Sequence, residues 1–158
     1  MDSSASGGLA TAIGVKAKAS GKQSLAIGNE SEASGEQSIS IGTGNKVSGN
    51  HSGAIGDPTV VTGDSSYSIG NNNTISTDNT YALGSDITAT AENSVFLGDK
   101  TSASVQGAGA TGTVSDATVG DITYGDFAGE TSVGLVSVGN DTQVRRVSGV
   151  AAGEISAT

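Results

Sequence analysis

Few residues of this chain could do covalent chemistry, and they do not converge. His51 is the only histidine. A Ser-His-Asp device needs an imidazole flanked by a nucleophile and an orienting carboxylate, and a zinc site needs further ligands at set spacings. Neither pattern surrounds Asn50-His51-Ser52, whose composition suits an exposed turn. Gly107-Ala108-Gly109-Ala110-Thr111-Gly112 is a literal G-x-G-x-x-G. A dinucleotide loop must open a helix, and the following Thr113-Val114-Ser115-Asp116 has no helical period. Asp57, Asp64, Asp86 and Asp99 recur near turns, but calcium-binding β-rolls use nonapeptides with Gly-Gly-x-Gly-x-Asp, which are absent. The acids are spread singly, without the facing pair that glycoside hydrolysis requires. Thr88-Ala89-Thr90 is an isolated Thr-x-Thr, too little for an ice-binding ladder. The residues therefore predict no enzyme, no cofactor and no metal site.

Composition narrows the partners. The formal net charge is −9, which disfavours nucleic acid and anionic membrane surfaces. There is no Cys, so a disulfide framework and a thiolate zinc site are excluded. No apolar run approaches the roughly 18–20 residues that span a bilayer, and the opening Met1-Asp2-Ser3-Ser4-Ala5-Ser6-Gly7-Gly8 is polar. Any export signal or membrane anchor is expected outside this chain. Aromatic residues make up only 3%, while Gly numbers 25. A thick globular core is not available from that mixture.

Order comes instead from repetition. Ile-Gly or Leu-Gly recurs at Ile13, Ile27, Ile41, Ile55, Ile69, Leu83 and Leu97, each followed by Gly, always 14 residues apart. One place earlier stand Ala12, Ala26, Ser40, Ala54, Ser68 and Ala82, then Phe96. Two places earlier stand mostly large residues: Leu25, Ile39, Tyr67, Tyr81 and Val95, with Thr11 and Gly53 as exceptions. Six places after the Ile come Ala19, Ala33, Val47, Val61, Ile75, Ala89 and Ala103, and the next column is always Ser or Thr. Each unit thus holds two short alternating stretches and two turns, the signature of one coil of a parallel β-solenoid. Rungs about 4.8 Å apart would stack into a rod roughly 30–35 Å long.

Alternation gives each strand two faces. The expectation is that the Ile/Leu column is the structural core of the coil, facing the Ala/Val column of the second strand. The Ala/Ser column, Ala12 to Ala82, is then left outside, where small residues let another subunit approach closely. A roll so thin is expected to oligomerise, because a single stack buries little apolar surface.

The units, such as Gln23-Ser24-Leu25-Ala26-Ile27-Gly28 through Ala33-Ser34-Gly35, resemble the head repeats of YadA-like trimeric autotransporter adhesins. Val136-Ser137-Val138-Gly139, then Val144-Arg145-Arg146-Val147, then Val150-Ala151-Ala152-Gly153, resembles that family's neck, with Gly149 where the pattern has Asn. The resemblance implies an all-β fold: a left-handed parallel β-roll of 14-residue repeats assembled as a homotrimer. General crossover rules give the opposite hand, so the handedness rests on the resemblance alone. It divides the chain into a polar segment (1–8), a head of seven repeats (9–105), a connecting element (106–132) and a neck (133–158) cut before its stalk. It assigns Arg145 a structural role in the neck, as an intersubunit ion pair or carbonyl clamp. It implies an adhesin at the bacterial cell surface, carried by the outer membrane. Its partners would be host extracellular-matrix proteins or cell-surface glycoproteins. A structural spacer within a longer fibre, or a glycan-binding head, are the alternatives.

Overall fold

The 14-residue period closes one coil. A computed structural model of the chain describes residues 2–103, 112–113, 116–125 and 131–151. Ser104 and Val105 of the repeat columns, residues 107–111 of the glycine motif and residues 152–158 of the neck lie outside the described residues. The strands begin with β1 (Ser4–Ala5), β2 (Thr11–Ile13), β3 (Lys18–Ala19), β4 (Leu25–Ile27), β5 (Glu32–Ala33), β6 (Ile39–Gly42) and β7 (Lys46–Val47). They continue with β8 (Gly53–Gly56), β9 (Thr59–Val61), β10 (Tyr67–Ile69), β11 (Asn73–Ile75), β12 (Tyr81–Leu83), β13 (Thr88–Ala89) and β14 (Val95–Leu97). The remainder are β15 (Gly112–Thr113), β16 (Asp116–Val119), β17 (Ile122–Gly125), β18 (Thr131–Ser132) and β19 (Val136–Ser137).

Odd strands β1 to β13 form one seven-stranded parallel sheet, here sheet A. Even strands β2 to β14, with β19 at the end, form an eight-stranded parallel sheet, sheet B. Register is one period throughout: Ala12 pairs Ala26, Ala26 pairs Ser40, and Ser40 pairs Ala54. The fold is therefore the all-β parallel solenoid of 14-residue repeats that the spacing predicts. The polar opening segment supplies a rung of its own, with Ser4 and Ala5 paired to Lys18 and Ala19.

The turns are built more regularly than the glycine columns suggest. Leu9, Lys16, Gln23, Glu30, Gln37, His51, Ser65, Asn72, Asn79, Asp86, Asn93 and Lys100 all have φ between 52° and 63°. Together with Gly44 (φ 69°) they place a left-handed residue at every seventh position. The sole interruption from 9 to 100 is Pro58, whose ring forbids positive φ. Each coil is thus two seven-residue halves, each turning on one left-handed residue. A non-glycine residue held there costs about 1–2 kcal/mol, less for Asn or Asp. Glycine is indispensable where rungs touch: a Cβ on Gly28 (φ 122°) would run into the carbonyl oxygen of Gly42.

The core lies between sheets A and B, and it reverses the expected assignment of faces. Ala26, Ala54, Ser40 and Ser68 are buried, as are Ala33, Val47, Val61 and Ile75 across from them. Ala12 is only half-buried, at the end of the stack. The Ile/Leu column points out: Ile13 is 56% exposed, Ile69 51% and Leu83 53%. Ile55 and Leu97 are also exposed, and Ile27 and Ile41 half-buried. The Ile/Leu column is therefore not the core of the coil, and the Ala/Ser column is not free to meet another subunit. The reason is width. A half-coil of seven residues leaves room for one small side chain opposite one medium one, so Ala54 shares a buried cluster with Val47, Val61 and Ile75. Phe96, at the last repeat, is fully buried where Ala103 packs against the cluster.

Polar residues line both turns of the interior. Ser24 and Ser38 hydroxyls donate to the Gly21 and Gly35 carbonyls at 2.7 Å. Ser52 donates to the Gly63 carbonyl at 2.7 Å and accepts from the Ser66 backbone N–H at 3.0 Å. Asn73 donates to Ser68 and to the Gly84 carbonyl, and accepts from Ile87 N–H. These bonds satisfy turn carbonyls that the strand ladders cannot reach.

The stack resumes beyond the last 14-residue repeat. Val95 pairs Val136 and Phe96 pairs Ser137, so β19 is an eighth rung of sheet B reached after 41 residues instead of 14. Val95 N–H bonds to the Leu135 carbonyl as Tyr81 N–H does to Ser94. Within the intervening stretch β16 and β17 form an antiparallel hairpin, and β15 pairs β18. The connecting element is thus an insertion into a coil.

Ser65, at φ 53°, tests the strained-turn account. Ser65→Asn is expected to raise the unfolding free energy by about 0.5–1 kcal/mol, and Ser65→Val to lower it by about 1–2 kcal/mol. Urea midpoints read by circular dichroism decide it, and a valine variant as stable as the parent contradicts the account.

Candidate interaction surface

The outer face of sheet B carries two columns. One is the Ile/Leu column. The other holds Thr11, Leu25, Ile39, Gly53, Tyr67, Tyr81 and Val95, two residues earlier in each strand. Neither contains a charged residue, although the chain has 16 Asp and Glu. Eight rungs at about 4.8 Å make a charge-free apolar stripe some 34 Å long. Monomeric proteins rarely leave so continuous a stripe in water.

The stripe is uniform in one column and uneven in the other. Tyr67 and Tyr81 stack, with ring centroids 5.9 Å apart and planes 12° from parallel. Tyr67 leans over Gly53: a Cβ there would meet the ring at 2.8 Å. A recess of about 180 Å³ opens beside the tyrosines, among Tyr67, Ile69, Tyr81, Leu83, Val95 and Leu97.

The turn edges are charged and organised along the rod. Lys16, Lys18 and Lys22 of one rung meet Glu30, Glu32 and Glu36 of the next at 2.6, 3.0 and 3.2 Å. All are largely in water, where such pairs add little stability. The Lys16 ammonium holds the Glu30 carboxyl below its ordinary value, and Glu30 raises Lys16. Further along, side chains cap the backbone of the preceding rung. Glu36 N–H donates to Asn50 Oδ1 (2.9 Å), Asn50 N–H to Asp64 Oδ1 (2.7 Å) and Asp64 N–H to Asp78 Oδ1 (2.8 Å). Ser85 N–H donates to Asp99 Oδ1 at 2.8 Å, and Asn72 Nδ2 to Asp86 Oδ1 at 2.6 Å. Asp57 uses its N–H to donate to Asn71 Oδ1. Asp64, Asp86 and Asp99 are acceptors in these ladders. Among the described residues no group of three His, Cys, Asp or Glu is placed to hold a metal. His51 lies exposed at a left-handed turn, near enough to Asp64 to act on its charge.

At the neck, Arg145 reaches back to the last coil. Its guanidinium donates to the Val138 carbonyl (2.8 Å), the Asp99 carbonyl (2.9 Å) and Thr101 Oγ1 (3.4 Å). A Cβ on Gly98 would meet it at 2.6 Å, so the glycine leaves the space it fills. Beside it lies an apolar cavity of about 320 Å³ bounded by Leu135, Val138 and Val144. Val144, Val147 and Val150 are exposed. The resemblance to the neck singled out Arg145; its carbonyl partners depend on the chain returning to the last coil, which no local pattern encodes.

The model of the YadA head domain repeat matches this chain twice, at residues 5–31 and 33–57. Over those residues the repeat region is similar to YadA head repeats. Eight chains of solved structures match. One is the C-terminal YadA-like domain of a Burkholderia pseudomallei protein, 26% identical, with a TM-score of 0.37 over 65% of this chain. This chain spans 41% of that one. Another is the collagen-binding domain of the Yersinia adhesin YadA, 21% identical, with a TM-score of 0.44 over 89% of this chain and 79% of that one. No curated protein matches. Among the described residues no helix is long and apolar enough to cross a membrane.

Two outcomes follow from the ladders and the clamp. The Asn50 backbone N–H, and then its amide, hold the Asp64 carboxyl below the ordinary 3.8. A depressed carboxylate contributes stability that is present above about pH 4 and lost as pH falls through the folded value. Thermal midpoints should therefore drop more steeply below pH 4 in the parent than in Asp64→Asn, which keeps the acceptor oxygen without the charge. Separately, Arg145→Ala frees three acceptors and should cost about 0.5–1.5 kcal/mol. Hydrogen exchange should accelerate at 136–145 while 25–83 stays protected; equal loss at both ends contradicts a local clamp.

Proposed function

We propose that this chain is the head of a homotrimeric adhesin of the bacterial outer membrane. Three copies pack the outer face of sheet B around a common axis, leaving sheet A and the turn edges outside. The observation that carries this reading is the charge-free stripe on a chain of net charge −9. Like-charged copies can meet there without opposing carboxylates, and only a partner with the same rung spacing can follow the stripe along its length. The match of residues 5–57 to YadA head repeats supports the adhesin role.

The targets are host extracellular-matrix proteins or cell-surface glycoproteins, held by the outward surfaces. The mechanism is physical. A rigid rod presents three copies of one modest site at fixed spacing, and simultaneous engagement turns weak single contacts into durable attachment. No reaction is involved, and no cofactor.

Light scattering tests the assembly, with an expected mass near three times 15.3 kDa. Ile41→Asp/Ile69→Asp should yield folded single chains with unchanged circular dichroism. A parent of single-chain mass sinks the trimer. The trimer is then measured against immobilised collagen, fibronectin and laminin. Saturable binding that weakens at least tenfold in the dissociated variant supports multivalent adhesion. A stable trimer binding none of them is a spacer.

A further inference from the structure

A face built of identical rungs has a weakness. Shifting one copy along another by one rung, about 4.8 Å, restores nearly the same contacts. The Ile/Leu column is almost unchanged by such a slip, because Ile13, Ile27, Ile41, Ile55 and Ile69 are one residue type. Strand pairing is poorly specified wherever the pattern does not distinguish registers, and proteins answer with irregular residues that fit only one. The second column supplies them. It carries medium residues at Leu25 and Ile39, no side chain at Gly53, two stacked rings at Tyr67 and Tyr81 that border a recess, and the smaller Val95. Their positions are held within the chain itself. Tyr67 lies down onto the gap above Gly53, and Tyr81 stacks on Tyr67, which fixes the height of both rings before any partner arrives.

We propose that Tyr67 and Tyr81, seated on Gly53, fix the axial register in which copies of this chain pack on one another. This rests on the trimer reading above. With copies aligned, the ring pairs lie level and share one widened band of the interface. A slip of one rung sets Tyr67 of one copy against Gly53 of its neighbour, and Tyr81 of that neighbour against Val95, so neither end of the ring pair meets its match. Rings of this size cannot be accommodated in a packed interface by small adjustments. The Ile/Leu column then supplies adhesion between copies, and the tyrosine pair supplies the choice of level.

The test uses the absence of native cysteine. Two single-cysteine versions of the full chain, Ile41→Cys and Ile55→Cys, are mixed, refolded together and oxidised. Mass spectrometry then counts 41–41 and 55–55 disulfides against 41–55. The unaltered background should give a strong excess of like pairs. Introducing Tyr67→Ile/Tyr81→Ile, which makes the column resemble Ile39, should keep the trimer mass but erase that excess. Leu25→Val/Ile39→Val, equally apolar and uniform, should leave it intact. Retention of the excess in the tyrosine double variant overturns the proposal while the trimer stands. Dissociation of that variant also overturns it, since the rings would then supply affinity instead of register. Single-chain mass for the unaltered protein overturns the trimer reading, and this proposal with it.

Discussion

Every repeat coil of this protein is held by the contact of one residue with the residue 14 places on, and the closing rung by the same pairing across 41. Backbone N–H groups bond along the rod, as Thr11 does to Ser24 and Leu25 to Ser38, and glycines let rungs approach. That spacing is about 4.8 Å and cannot vary, so side chains in one column must tolerate their own repetition. Small, hydroxylic and amide residues do. They fill the interior, and Asn, Asp and Ser cap backbone groups of the neighbouring rung at the edges. Like charges stacked rung on rung repel, and the first coils avoid this by setting three lysines against three glutamates.

The same constraint explains why the large apolar residues are outside. Seven residues per half-coil bring sheets A and B so close that their shared interior accepts Ala or Ser against Ala, Val or Ile. Bulk is displaced to the outer face of sheet B, which becomes a continuous apolar stripe. A fold that would be marginal as a single stack thereby carries the means of its own assembly. Turning each half-coil on one left-handed residue is the accompanying cost, borne in twelve places by residues other than glycine.

In the proposed role, attachment depends on geometry more than on any individual residue. The ladders and the Arg145 clamp make the outward edges and the start of the neck rigid relative to the stack. In the proposed trimer such a scaffold would keep three equivalent surfaces at fixed spacing, which multivalent binding requires. The insertion that carries the β16–β17 hairpin interrupts the eighth rung without breaking its register. Decoration can thus be added to the rod where a turn would otherwise stand.

The sequence by itself determined the period, the number of repeats, the parallel stacking and the all-β class. Each of these follows from residue types recurring at a fixed interval, and the resemblance to head repeats came from the same columns. Arg145 was singled out by the resemblance to the neck, a separate signal. Only the tertiary structure decided which face of each strand is inside. Alternation of Leu25, Ala26 and Ile27 separates two faces but carries no measure of the gap they must fill, and that gap is set by the turns. The left-handed residues at every seventh position were hidden because Gln, Lys and Glu carry no turn signal; stacking against the next rung holds them there. The eighth rung was equally invisible, since Val136 reaches Val95 across a stretch of unrelated spacing and is placed by the exposed edge of β14 that it completes.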